Sequence, residues 1–332
     1  MTALAAALPI AGGASVPAGR RIRIGRTAIA TLAWLAMGAA VVVFLAPQAD
    51  ALGESVGALA DANPLWILAG LGLVAVRYAA AALSLAAAAG GGLGFLPTAM
   101  VQVATSFVGR LTPEGIGWLA LNQRYLEKAG LSRASAAAAL ALRIAAGAVT
   151  RVAIVAIVAA LAGREAFTAL DLSIPWLAVV VGAAIAALAL GVVGYAFRSR
   201  VSRVTVAIRS AAGAIAEALR TPSRAAVLFG GSAATTLLYV LTLAVSVAAV
   251  DADIPFVQLF AMYLAATAVA AASPTPGNLG ALELALTGGL ATLSVPTGTA
   301  LGAVLVFRLL TFWLPLLPGF LAFRYLHRRG HL

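Results

Sequence analysis

Apolar runs of roughly 20 residues, separated by short polar loops, recur along the whole chain. That spacing predicts membrane-spanning helices. Six runs read as full spans: 27–46, 64–89, 134–162, 175–197, 225–250 and 299–323. Two further apolar stretches, 97–127 and 256–294, are each broken in the middle. The first breaks at Thr112-Pro113-Glu114-Gly115-Ile116-Gly117, the second at Ser273-Pro274-Thr275-Pro276-Gly277-Asn278-Leu279-Gly280. Proline removes an amide donor and glycine weakens helix, so neither stretch forms one straight helix.

The polar loops orient these elements. Basic residues gather at Arg20 to Arg26, at Arg124, Lys128 and Arg133, between Arg198 and Arg224, and at Arg324, Arg328 and Arg329. The intervening loops carry Asp50, Glu54, Asp61, Glu165, Asp171, Asp251 and Asp253, with Arg164 as their one basic residue. By the positive-inside rule the basic loops and both termini are cytoplasmic. Stretch 97–127 then enters from the cytoplasm and returns to it, and 256–294 does the same from outside. The arms of the first hairpin, about 14 and 12 residues, are each roughly 20 Å long, short of a crossing, so it reads as re-entrant. The longer arms of the second leave two true crossings open.

Each half therefore runs span, span, broken hairpin, span, with opposite orientation. In each hairpin a proline is followed four positions later by glycine: Pro113 and Gly117, Pro276 and Gly280. Pro113 precedes Arg143 by 30 residues, and Pro276 precedes Arg308 by 32. The expected fold is an all-α polytopic integral membrane protein, with about six full spans and two Pro/Gly-broken hairpins in an inverted repeat. Residues 1–26 read as a cytoplasmic tail and 27–326 as one transmembrane domain. Repeat 1 covers about 27–162 and repeat 2 about 175–326, and 327–332 form a basic tail.

Composition agrees, with 63% hydrophobic and 10% charged residues; soluble domains carry about a quarter charged residues. The net charge of +11 sits in the loops, where it meets anionic headgroups, so no nucleic-acid partner is expected. With no cysteine and with both histidines, His327 and His331, in the basic tail, no thiolate or metal site is expected. Walker A, GxGxxG, HExxH and GxSxG motifs are absent in usable contexts. Neither a cofactor nor an enzyme activity is expected.

The candidate chemistry lies in charges within the apolar segments: Arg77, Arg110, Arg143, Arg151 and Arg308, with Glu114 and Glu283 beside the hairpin breaks. A mid-membrane charge costs about 2.5–3.5 kcal/mol on insertion scales, so these side chains should face an internal cavity. Two carboxylates for five guanidiniums leave the interior short of negative charge. Guanidinium binds phosphate in a bidentate fork, and an anionic headgroup is the natural missing partner. Arg143 and Arg151, eight residues apart, share a helix face. Structural readings stand beside these. Arg110 snorkels to an interface, Arg77 with Tyr78 caps a lipid-facing helix, Glu283 and Arg308 form an interhelical pair, and Glu114 starts the helix after the break. Trp34, Trp66, Trp118, Trp176 and Trp313 read as an aromatic belt.

The segment Ser273 to Glu283, followed by Phe307-Arg308 and Trp313-Leu314-Pro315, resembles the flippase-like family, the membrane region also found in lysylphosphatidylglycerol synthases. Leu111 to Gly117, with Arg124 and Gly130, is similar to the same family's first-half motif. Pro276, Gly277, Gly280, Glu283 and Arg308 match in the second half, and Pro113, Gly115 and Gly117 in the first. Asn278 stands where a second glycine is usual, and Glu114 where glycine is common. The resemblance implies a bacterial cytoplasmic-membrane fold that moves an aminoacylated phospholipid or a polyprenyl or glycolipid between leaflets. Arg77, Glu114, Arg143, Arg151, Glu283 and Arg308 would contact the headgroup. The soluble aminoacyltransferase domain of some relatives has no counterpart in this sequence, so synthesis of lysyl-lipid is not expected. The alternative expectation is a non-transporting accessory subunit of a membrane lipid or glycan biosynthesis enzyme.

Overall fold

The computed structural model describes residues 63–110, 116–169, 220–271 and 276–332. The expected spans 27–46 and 175–197, the N-terminal tail, and Pro113, Glu114 and Gly115 lie outside the described residues. Within them the regular structure is entirely helical.

The first half contributes α1 (Pro64–Ala88), α2 (Phe95–Val108), α3 (Ile116–Lys128) and α4 (Arg133–Ala169). The second contributes α5 (Pro222–Ala248), α6 (Phe256–Ala270), a 3-10 turn (Pro276–Asn278) and α7 (Ala281–Thr292). It closes on α8 (Thr297–Arg308), which continues through a π turn (Leu309–Trp313) into α9 (Leu316–Arg328). Four helices are long and apolar enough to cross a membrane: Pro64–Ala88, Arg133–Val158, Pro222–Ala248 and the composite Thr297–Arg328. They coincide closely with four of the expected spans. Both broken stretches are indeed pairs of short helices, of 14 and 13 residues in the first and 15 and 12 in the second. None reaches the roughly 20 residues that a crossing takes.

Local chemistry explains the helix ends. Pro64 occupies the first turn of α1, where its missing N–H costs nothing, and the Asn63 side chain accepts from Leu65 N at 3.0 Å. At the other end Arg224 donates to Ala87 O (2.7 Å) and Ala88 O (3.1 Å), a cation on the orphan carbonyls of a C-terminus. Because Asn63 N also donates to Ala249 O, α1 and α5 run antiparallel, each end held by the other. They cross where Gly231 approaches: a Cβ there would lie 2.9 Å from Ala80 O and 3.0 Å from Ser84 Cβ. Ser84 Oγ donates to Leu228 O across the same contact. Small residues permit such close approach in an apolar solvent.

The last span, expected at 299–323, contains the π turn at Leu309–Trp313. Pro315 has no N–H for Thr311 O, the carbonyl four residues earlier, while Leu314 N donates five residues back, to Leu309 O at 2.9 Å. The widened turn leaves Thr311 O to another donor.

Packing in the two halves corresponds pair by pair. α1 meets α5, α2 packs on α9, and α6 packs on α4. α1–α2, α2–α3, α3–α4 and α1–α4 have counterparts in α5–α6, α6–α7, α7–α8 and α5–α8. Four apolar cores follow among the described residues, and the two larger ones surround the hairpins. One surrounds the second hairpin with Leu243, Leu259, Met262, Leu286, Leu290 and Phe307. The other surrounds the first with Leu85, Val101, Leu126, Leu140 and Leu326.

Candidate functional site

A cavity of about 490 Å³ lies where these helices meet, and all five arginines of the apolar segments line it. They come from four places in the fold: Arg77 from the middle of α1, Arg110 just beyond α2, Arg143 and Arg151 from α4, and Arg308 from the last position of α8.

Arg308 is the most heavily engaged. Its Nε lies 2.6 Å from Glu283 Oε1, and its Nη2 donates to Gly277 O (3.2 Å) and Asn278 O (3.3 Å). Glu283 Oε2 in turn accepts from Gly280 N at 2.9 Å, capping α7. Both side chains are buried. The turn they clasp needs glycine: Gly277 (φ +64) and Gly280 (φ +82) are left-handed, and a Cβ on Gly277 would sit 2.7 Å from the Phe312 ring. Of the two readings of Glu283, the interhelical pair with Arg308 is the one found, and Glu283 does not itself line the cavity.

Arg143 donates to Gln102 Oε1 at 3.1 Å and lies 5.2 Å from the centroid of the Trp118 ring. Gln102 Nε2 passes the connection to Asn122 Oδ1 at 2.9 Å, and Asn122 Nδ2 donates to Trp118 O. The first hairpin is thus tied to its closing span by a neutral amide relay, where the second uses an ion pair. Trp118 lines the cavity wall, with its ring facing the Arg143 guanidinium.

Arg110 does not snorkel. It donates to Ser106 O and to Thr311 O, the carbonyl freed by the π turn, and lies over Phe312 at 4.6 Å. Arg77 does not face lipid: it is 8% exposed, between the rings of Tyr78 (4.3 Å) and Tyr239 (4.5 Å). Its Nε has no hydrogen-bond partner among the described residues. Arg151 is exposed and forms an edge of the cavity on the same face of α4 as Arg143.

Among the described residues, one ion pair, Arg308 with Glu283, stands against five guanidiniums. Gly277 and Asn278 also line the cavity, Pro276 begins the turn, and Gly117 is buried in α3. Sequence reasoning did not select Gln102, Thr235, Tyr239, Tyr263 or Phe312, which complete the wall. Polar residues at mid-span were the available signal for Gln102, Thr235 and the tyrosines.

The family model described as lysylphosphatidylglycerol synthase TM region matches residues 28–319. No curated protein matches the chain.

Proposed function

Because the chain belongs to the lysylphosphatidylglycerol synthase TM region family, a family of membrane proteins related to lipid handling, we propose that it is a lipid flippase-like transporter. It moves a phosphate-bearing headgroup across the bacterial cytoplasmic membrane, with no covalent chemistry of its own. The observation that carries this reading is the convergence of five guanidiniums on one cavity with, among the described residues, a single carboxylate paired against them. Unbalanced charge in a low-dielectric interior is costly and is kept where a ligand answers it. Phosphate answers guanidinium in both charge and geometry.

The matched helix pairings support an inverted repeat, with α1–α4 equivalent to α5–α9 and the two hairpins as re-entrant elements. In both halves the closing span reaches its own hairpin through an arginine, Arg143 through Gln102 and Arg308 through Glu283. Rocking of one half against the other around the cavity would expose it to each leaflet in turn. The lipid gradient or the membrane potential would drive the cycle. The basic loops support cytoplasmic termini.

The test is leaflet exchange of labelled anionic lipids in proteoliposomes holding only this chain. Exchange above that of empty vesicles, lost in Arg143→Gln and retained in Arg324→Gln outside the cavity, is the expected result. Exchange equal to empty vesicles from folded protein contradicts the proposal and favours an accessory subunit of a lipid or glycan biosynthesis enzyme.

A further inference from the structure

We infer that the headgroup taken by this cavity ends in a phosphate carrying two or more negative charges, a phosphomonoester or a pyrophosphate, and that aminoacylated cationic headgroups are rejected. This rests on the headgroup-translocation reading and narrows its substrate class.

Charge is the first argument. Glu283 neutralises Arg308, and both of its oxygens are engaged, one by Arg308 and one by the Gly280 amide. Four lining guanidiniums remain without a carboxylate among the described residues. The apolar stretches hold two other carboxylates, Glu114 at the first hairpin break and Glu127 at the exposed end of α3, where it accepts from Gln123 outside the cavity lining; with Glu114 counted against the arginines three are left. Among the described residues the hydrogen-bond partners that these arginines have are neutral: the Gln102 amide for Arg143, and the Ser106 and Thr311 carbonyls for Arg110. Neutral acceptors satisfy N–H groups and leave the positive charge in place. A phosphodiester supplies one negative charge to this surplus, and a phosphomonoester above its second pKa of about 6 supplies nearly two.

The second argument concerns where an ammonium would go. It needs a carboxylate or an open aromatic face. Of the six aromatic rings that line the cavity, Tyr78, Tyr239, Trp118 and Phe312 are already covered by a guanidinium, at 4.3, 4.5, 5.2 and 4.6 Å, and Tyr263 and Phe307 pack edge to face on each other. A lysyl or alanyl group would bring its positive charge among five arginines, with no free carboxylate among the described residues to receive it.

Lipid binding to the purified full chain in detergent tests this, with phosphatidic acid, farnesyl pyrophosphate, phosphatidylglycerol, lysylphosphatidylglycerol and inorganic pyrophosphate as probes. At pH 8 phosphatidic acid and farnesyl pyrophosphate are expected to bind at least about tenfold tighter than phosphatidylglycerol, with the lysyl-lipid weakest. The preference for phosphatidic acid over phosphatidylglycerol should shrink toward pH 5 as the monoester takes up its second proton. Arg77→Gln and Arg143→Gln should each reduce it, and Arg324→Gln should not. Inorganic pyrophosphate competing as well as its farnesyl ester would overturn assignment to a lipid. Lysylphosphatidylglycerol binding as tightly as phosphatidic acid overturns the inference and leaves translocation standing. Failure of every phosphate lipid to bind, with leaflet exchange also absent, overturns the reading beneath it.

Discussion

Arg308 and Glu283, 25 residues apart, form a buried ion pair of 2.6 Å that fastens the closing span to the break of the second hairpin. The pair also orders the turn, because each partner reaches its backbone: Arg308 the carbonyls of Gly277 and Asn278, Glu283 the amide of Gly280.

Removing one partner strands the other charge, so Arg308→Met and Glu283→Met should each lower stability by about 3–5 kcal/mol. The double variant should lose less than the sum of the two, since no buried charge is left alone. Thermal unfolding of the four proteins in one detergent gives the coupling. Additive losses would show that the pair is not a unit.

Gly277→Ala should destabilise through two separate causes. Its Cβ would meet Phe312 at 2.7 Å, and φ +64 is a left-handed conformation that costs a non-glycine residue about 1–2 kcal/mol. Phe312→Leu in the same chain should therefore recover only part of the loss in melting temperature. Full recovery would assign the whole effect to the clash.

Gly231 and its neighbour Gly230 provide an internal control for the α1–α5 crossing. A Cβ at Gly231 meets the backbone oxygen of Ala80 at 2.9 Å, whereas at Gly230 nothing lies within 4 Å. Gly231→Val should reduce folded yield and melting temperature sharply, and Gly230→Val should leave both near those of the parent. Equal behaviour would contradict the crossing.

Arg77→Met exchanges a buried charge that has no carboxylate among the described residues for an apolar chain of similar length. Melting temperature should hold or rise, because the charge no longer requires compensation. Lipid exchange should fall at least about tenfold with the loss of one phosphate donor. A variant that loses stability and keeps exchange would make Arg77 a structural residue.

Much of this arrangement is legible in the chain itself. Hydropathy locates α1, α4, α5 and the last span, because lipid demands long apolar helices. Pro276 and Gly277 mark a true break for the steric reasons that make them poor helix formers. The five arginines are conspicuous because charge in an apolar run needs an explanation. What they touch is another matter. Arg110 looks like a snorkelling residue until Pro315, far along the chain, is seen to free Thr311 O for it. The π turn leaves no mark on an apolar pattern that is continuous on both sides. Tyr239 lies in an ordinary apolar span and Trp118 reads as a belt residue, and only packing makes them the faces that hold Arg77 and Arg143.

The most direct test of the central claim places a photoreactive benzoylphenylalanine at Thr235, on the cavity wall, and a second at Val227, on the exposed side of α5. The chain is illuminated in lipid bilayers, and the adducts are mapped by mass spectrometry. A cavity that holds the headgroup should give attachment of the Thr235 probe to the headgroup end of a phosphate lipid, with Val227 labelling acyl chains. Acyl-chain labelling at both positions, or no lipid adduct at Thr235 while Val227 reacts, would contradict that claim.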